Sequence, residues 1–282
     1  MRHNKKAQVT VFIVIAVVIL GALASFFIYK NISQKGLLEN ENLDDNSVVL
    51  VESTLDCFSL VYSNALTIAG FQGGYTNVKD GLYDGYTVLP YYYKQGTLNI
   101  PTISTIETEL ANYVDEAIPY CINYQDNILE LENFGLNLTR LDSLEQNYLG
   151  YTMDFNKHNT KVKIHETKVT FTTDLDLSIS KEDGTQYSID FSKYPVNYES
   201  DLLDMHEIAS YIATSLKEDS EALCLTCIND LASQKELTVE ITNYQIPQDE
   251  RIVISNNLDS IPPVFQYLNK YSEKSEENEA EF

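Results

Sequence analysis

The first long apolar stretch of the chain, residues 7–29, contains no charged side chain. As a helix rising about 1.5 Å per residue it would span roughly 34 Å, enough to cross a bilayer. Residues 1–6 are basic without an acidic residue, and residues 30–47 are polar and acidic. We predict a single transmembrane helix at 7–29, with the N-terminus cytoplasmic and the rest of the chain extracellular.

An amphipathic helix is predicted beyond the membrane, because apolar residues recur there at steps of three and four. Its apolar positions are Val51, Leu55, Phe58, Tyr62, Ala65 and Ala69. The pattern stops at Gly73-Gly74. The stretch 75–101 is rich in glycine and tyrosine and shows no sustained period, so a long ordered loop is predicted there.

Three further helices follow from the same spacing. The second helix has Thr102 or Ser104 as its N-cap and stops before Pro119. The third covers about 201–217, and the fourth covers 221–233.

Alternation of apolar and polar residues predicts strands in the second half of the chain. The apolar positions are Val162, Ile164, Val169, Phe171, Leu175, Leu177, Ile179, Leu237, Val239, Ile241, Ile252 and Ile254. Asp183-Gly184 predicts a hairpin turn into 186–191. The fold class is therefore α+β: an N-terminal transmembrane helix, a helical segment, then a mainly antiparallel sheet with further helices. The extracellular domain covers 48–271, and the acidic tail 272–282 is expected to be disordered.

The charge balance limits the classes of molecule that the chain is expected to bind. The chain has 19 basic and 42 acidic residues, a net charge of -23. A surface of this sign repels phosphate backbones, so nucleic acid is excluded as a partner. The lipid bilayer is a partner through 7–29, and the extracellular partner is not specified by the sequence.

The N-terminal segment has three alternative fates. It is retained as a plain anchor, it is removed as a secretory signal after Ala24, or it is cut before the apolar run. The third is suggested by Lys5-Lys6-Ala7-Gln8 followed directly by the apolar run from Val9. This segment resembles the signal of archaeal type IV pilin-like proteins.

The resemblance covers about the first thirty residues. It implies a peptidase that cuts between Ala7 and Gln8 and leaves the apolar helix on the mature protein. It also implies self-association through that helix, which in the family first anchors the subunit and then forms a filament core. Many members carry Glu at the fifth mature position, where this chain has Phe12.

Four cysteines, Cys57, Cys121, Cys224 and Cys227, lie on the side predicted to face outward, where disulfides are expected. Three pairings are open, and we favour Cys57 with Cys121 and Cys224 with Cys227. The second pair is also a CxxC motif, which in thiol redox proteins opens a helix. Here it is predicted inside a helix and after acidic residues, which favours a structural disulfide over redox chemistry. Zinc would need two more ligands.

No catalytic motif is recognisable in the sequence, so we expect no enzyme activity and no cofactor or metal. The four histidines are scattered and are expected to be solvated. Asn31 and Asn137 head glycosylation triplets, which matter only if the domain faces outward.

The chain has 20 tyrosines and no tryptophan. Tyrosine offers a large contact area with a hydrogen-bonding tip, which suits recognition surfaces. The predicted loop contains the candidate contact residues Tyr83, Tyr86, Tyr91, Tyr92 and Tyr93. The alternative is that these rings pack the loop onto the domain.

Three functions remain open. The leading hypothesis is an archaeal cell-surface protein with a structural or adhesive role, such as a pilin-like subunit. The second is a monomeric, membrane-anchored domain that binds a ligand. The third is a membrane-tethered thiol oxidoreductase that uses Cys224 and Cys227.

Overall fold

The computed structural model describes residues 45–123, 144–148, 151–155, 158–181, 184–218, 223–244, 249–256 and 260–271. The chain divides into two compact units, 1–55 and 56–282. In the first unit the described residues, 45–55, belong to the first helix. The predicted membrane segment, the Ala7-Gln8 processing site, Asn31, Asn137 and the acidic tail lie outside the described residues.

The domain mixes helices with mainly antiparallel sheets, which confirms the α+β class. The helices are α1 (Asp45–Phe71), α2 (Ile103–Asn123), α3 (Leu202–Glu218) and α4 (Leu225–Gln234). The strands are β1 (Gly81–Tyr83), β2 (Val88–Lys94), β3 (Thr97–Leu98), β4 (Leu144–Tyr148), β5 (Tyr151–Phe155), β6 (Asn159–Ile164), β7 (Lys168–Asp174), β8 (Asp176–Lys181), β9 (Gln186–Asp190), β10 (Val196–Glu199), β11 (Leu237–Tyr244), β12 (Asp249–Asn256) and β13 (Val264–Lys270). None of these described helices is long and apolar enough to cross a membrane.

The strands form three sheets. The large sheet has the order β1-β2-β13-β12-β11, and the short strand β3 also pairs with β2, at Tyr93 and Lys94. Its β2–β13 pairing is parallel, and its other pairings are antiparallel. The two smaller sheets, β10-β7-β6 and β4-β5-β8-β9, are antiparallel.

Helix α1 packs its aromatic residues against the second half of the chain. The Tyr62 ring stacks on Phe171 of β7, with ring centroids 4.6 Å apart. The Phe58 ring meets Phe191 edge to face at 5.1 Å. These rings are at most 2% exposed, and buried aromatic pairs add about 0.5–1.5 kcal/mol each to the burial of their area. The predicted apolar face of this helix is therefore the core face.

The end of α1 lies directly against the large sheet at Gly70. A Cβ atom at this position would lie 2.3 Å from the carbonyl oxygen of Val264 and 2.4 Å from Cβ of Pro262. Both neighbours precede or begin β13. Only glycine therefore permits this approach of helix to strand.

Helix α2 covers the outer edge of the sheet β10-β7-β6. Asp115 Oδ1 accepts the backbone N–H of Thr160 at 2.9 Å, and Glu107 Oε1 accepts that of Ile164 at 3.0 Å. Because an open strand edge is a template for unwanted pairing, two carboxylates that bond the free N–H groups of β6 protect it.

The prediction that the second helix stops before Pro119 is wrong, because α2 contains this proline. Proline has no N–H for the carbonyl four residues earlier, that of Asp115. In the structure His158 Nε2 lies 2.6 Å from that carbonyl oxygen and bonds it instead. The N-cap prediction is confirmed for Thr102, whose hydroxyl oxygen accepts the N–H of Thr105 at 3.1 Å.

The predicted loop 75–101 is also partly wrong, because it contains β1, β2 and β3. The five central residues of β2, Leu89 to Tyr93, are all buried. A strand covered on both faces has no alternation of apolar and polar residues, so the period of two is absent. Strand β13, which pairs with β2, was not predicted for the same reason.

Replacement of Gly70 by alanine tests the close approach of α1 to β13. We expect Gly70→Ala to lower the free energy of unfolding by about 1–3 kcal/mol, because the added methyl group overlaps backbone atoms. Chemical denaturation of the purified protein gives this value. The exposed Asn64→Ala on the same helix is the control and should stay within about 0.5 kcal/mol. Equal effects of the two variants would contradict the packing described.

Candidate functional site

The most exposed aromatic residues of the described chain lie at the end of β1 and on its connection to β2. We call residues 83–87 the aromatic turn. Its Tyr86 is 96% exposed and its Tyr83 is 63% exposed. Large aromatic side chains normally lose most of their accessible surface on folding, so a projecting pair on an ordered turn is a candidate contact site.

The aromatic turn is held by the side chain of Asp84. Its Oδ1 accepts the N–H groups of Tyr86 at 2.9 Å and Thr87 at 2.8 Å. The Tyr83 hydroxyl donates to the carbonyl oxygen of Gly85 at 2.7 Å, and Gly85 has a φ of 101°, which glycine adopts without strain. The Asp84 carboxylate thus holds the backbone of the turn through two amides, and the Tyr83 ring lies along it while the Tyr86 ring projects into solvent.

Contacts below the turn connect it to α1 and to the centre of the large sheet. Arg251 of β12 places Nη2 3.8 Å from Asp84 Oδ2 and donates to Gln266 Oε1 of β13 at 2.5 Å. Gln266 Nε2 in turn donates to the carbonyl oxygen of Phe71, at 3.0 Å. Gln72 Nε2 donates to the hydroxyl of Thr87 at 2.8 Å. The position of the turn is thus fixed from two sides.

The other three candidate contact residues are core residues. Tyr91, Tyr92 and Tyr93 are 8%, 0% and 4% exposed in β2. The Tyr92 ring stacks on Tyr267 at 4.2 Å between centroids, and its hydroxyl donates to the carbonyl oxygen of Gly73 at 2.8 Å. For these three residues the structure shows the alternative arrangement, rings packed in the core, because the central strand β2 buries both of its faces.

A buried carboxylate lies on the same sheet. Asp249 is 0% exposed; its Oδ2 accepts the Tyr91 hydroxyl at 2.8 Å, and its Oδ1 lies 3.7 Å from Lys270 Nζ. Burial is the largest effect that raises the pKa of Tyr91 above its ordinary value, and the hydrogen bond to Asp249 is the second largest. Tyr91 therefore stays protonated and serves as a donor that compensates the buried charge.

The cysteines occupy two kinds of environment. Cys57 is disulfide-bonded and 7% exposed in α1, while the side chain of Cys121, its favoured partner, lies outside the described residues, so this pairing stays a prediction. Cys224 and Cys227 form a disulfide with their Cα atoms 5.2 Å apart. The prediction that this pair lies inside a helix is wrong for Cys224, which is the N-cap of α4; Cys227 lies in the first turn of this helix, which begins at Leu225.

The three histidines of the described chain lie apart from one another in different settings. His165 is exposed as expected, whereas His158 and His206 are half-buried and each bonds a backbone carbonyl, at 2.6 Å and 2.7 Å. Burial lowers the pKa of His206, against the opposing effect of its bond to the Pro101 carbonyl. In the described part of the chain no group of three or more side chains is arranged to hold a metal ion.

Comparisons with family models, with curated proteins and with solved structures give no match for this chain.

Removal of the Asp84 carboxylate tests how the aromatic turn is held. In Asp84→Ala the amides of Tyr86 and Thr87 lose their acceptor, and a hydrogen bond to a charged group contributes about 1.5–3 kcal/mol. We expect hydrogen exchange at these two amides to become at least about tenfold faster, with exchange in β13 unchanged. Asp84→Asn keeps a neutral acceptor oxygen, so its exchange rates at these amides should lie between those of the unchanged protein and those of Asp84→Ala. Unchanged exchange at both amides would contradict this account.

Proposed function

We propose that this chain is a membrane-anchored surface protein with a structural or adhesive role. Its N-terminal segment would hold the acidic domain outside the cell, and the aromatic turn would contact a neighbouring protein. The observation that carries the contact role is the 96% exposure of Tyr86 on a turn whose own carboxylate bonds its backbone. An aromatic side chain carried on a bonded turn costs less backbone entropy on binding than one on an unbonded loop, which favours recognition.

The anchoring part of the proposal is supported by the sequence. The uncharged run at 7–29 has the length of a membrane span. The resemblance of residues 5–15 to archaeal pilin-like signals adds that the helix would also mediate self-association after cleavage between Ala7 and Gln8. The net charge of -23 would keep neighbouring domains soluble and apart unless a specific contact forms.

The second hypothesis, a monomeric anchored domain that binds a ligand, uses the same aromatic turn. It differs in the identity of the partner: another copy of this chain in an assembly, or a different molecule. Identification of whatever contacts Tyr86 therefore separates the two.

Photocrosslinking in the native cells tests the contact role. The full-length chain is produced with a benzoyl-phenylalanine at position 86 and irradiated, and adducts are identified by mass spectrometry. The control carries the same group at Tyr211 of α3, which is 38% exposed. Because Tyr86 projects from the turn, we expect an adduct at position 86 that is absent at 211.

The identity of the adduct then distinguishes the hypotheses. A crosslink to a second copy of the chain supports the structural subunit, and a crosslink to a different protein supports the binding domain. No adduct at 86, or equal adducts at both positions, would contradict a contact role for the aromatic turn. As a second readout, Tyr86→Ala should leave the stability of the domain unchanged, because the ring is almost fully exposed.

A further inference from the structure

The Cys224–Cys227 disulfide lies at the surface of the domain. All residues from Cys224 to Cys227 are exposed, and Leu225 between the cysteines is 59% exposed. Disulfides that stabilise a fold are commonly shielded, as at Cys57, which is 7% exposed. A thiol of another molecule can reach an exposed disulfide and exchange with it, whereas a buried disulfide is protected from this reaction.

The structure also gives the two sulfur atoms different environments. Cys224 is the N-cap of α4, and its Sγ accepts the backbone N–H of Cys227 at 3.3 Å. The hydroxyl of Thr226 lies 3.5 Å from the same sulfur. A thiolate on Cys224 would therefore have a backbone donor, a hydroxyl donor and the positive end of the helix dipole directly beside it.

Two of the acidic residues near the motif are exposed, and two others, Asp219 and Glu221, lie outside the described residues. Glu218 at the end of α3 and Asp230 within α4 are exposed, so water and salt screen their charges. The N–H of Cys227 is in direct contact with the sulfur, and a contact donor outweighs a solvated charge farther away. Acidic neighbours in the sequence therefore do not by themselves make this CxxC unreactive, because the Cys227 N–H contacts the Cys224 sulfur directly.

We propose that Cys224–Cys227 is a thiol–disulfide exchange site that oxidises a dithiol on another protein. A thiolate of that protein attacks Sγ of Cys227, the sulfur–sulfur bond breaks, and Cys224 leaves as the stabilised thiolate. The second thiol of the partner, after losing its proton to water, attacks the partner's own sulfur in the mixed disulfide and releases the Cys227 thiolate. Both thiolates can take up protons from water.

The electron balance is complete without a cofactor. The partner loses two electrons and two protons and gains a disulfide, and this chain becomes a dithiol. Cys224 is the better leaving group because the more stabilised thiolate leaves faster. This site is separate from the aromatic turn, so it holds or fails independently of the contact role proposed above.

Alkylation rates test the asymmetry of the two sulfurs. In the full-length Cys227→Ser variant, the rate of iodoacetamide labelling of Cys224 is followed against pH, and Cys224→Ser reports Cys227 in the same way. Serine is a favoured N-cap, so α4 remains capped in Cys224→Ser. We expect a pKa below about 7.5 for Cys224 and a pKa near the free value of about 8.5 for Cys227.

Exchange with reduced glutathione tests the chemistry itself. The folded full-length protein is equilibrated in glutathione buffers, quenched with a thiol-blocking reagent and digested, and the peptide that contains both cysteines is weighed. We expect this disulfide to be reduced while circular dichroism stays native. A Cys224 pKa at or above about 8.5, or a disulfide that resists glutathione until the protein unfolds, would overturn the proposal.

Discussion

The close approach between the end of α1 and the large sheet is the constraint on which the rest of the domain depends. At Gly70 the helix lies so near β13 that a single methyl group would overlap backbone atoms. Two residues beyond the helix, the carbonyl oxygen of Gly73 accepts the hydroxyl of Tyr92, whose ring stacks on Tyr267. The helix terminus, β2 and β13 are thereby held as one packed group, and the parallel pairing of β2 with β13 lies inside it.

The aromatic turn takes its position from this packed group. Gln266 lies in the same strand as Tyr267; it donates to the last carbonyl of α1 and accepts a hydrogen bond from Arg251. Arg251 in turn lies beside Asp84 of the turn. A shift of the end of α1 would therefore be transmitted to the aromatic turn through the contacts of Gln266, Arg251 and Asp84. These contacts hold the backbone of the turn and leave the Tyr86 ring in solvent.

The period of the apolar residues decides which elements could be predicted from the sequence and which could not. Helix α3 was predicted almost to its last residue because its buried positions follow one periodic face. Strand β2 was missed because Tyr91, Tyr92 and Tyr93 can be core or surface, and no periodicity separates the two. In the core each ring needs a partner for its hydroxyl, such as Asp249 for Tyr91, and such partners lie far away in the sequence.

The same limit applies to single residues whose role depends on a distant contact. A proline inside α2 is tolerated because His158 supplies the missing donor to the carbonyl of Asp115, and nothing near Pro119 in the sequence indicates that histidine. The CxxC motif was visible in the sequence. Its location at the start of α4 was not, because helix propensity continues on both sides of Cys224 and the boundary is set by a side-chain cap.

The central claim is that the N-terminal segment holds the folded domain on the outer face of the membrane. The most direct test is the intact mass and N-terminal peptide of the protein from its native membranes, under non-reducing conditions. The account predicts membrane-bound protein that begins at Gln8, with the apolar helix retained. A start at Met1 would keep the anchor and remove the pilin-like processing. A soluble protein that begins at Ser25 would contradict the claim.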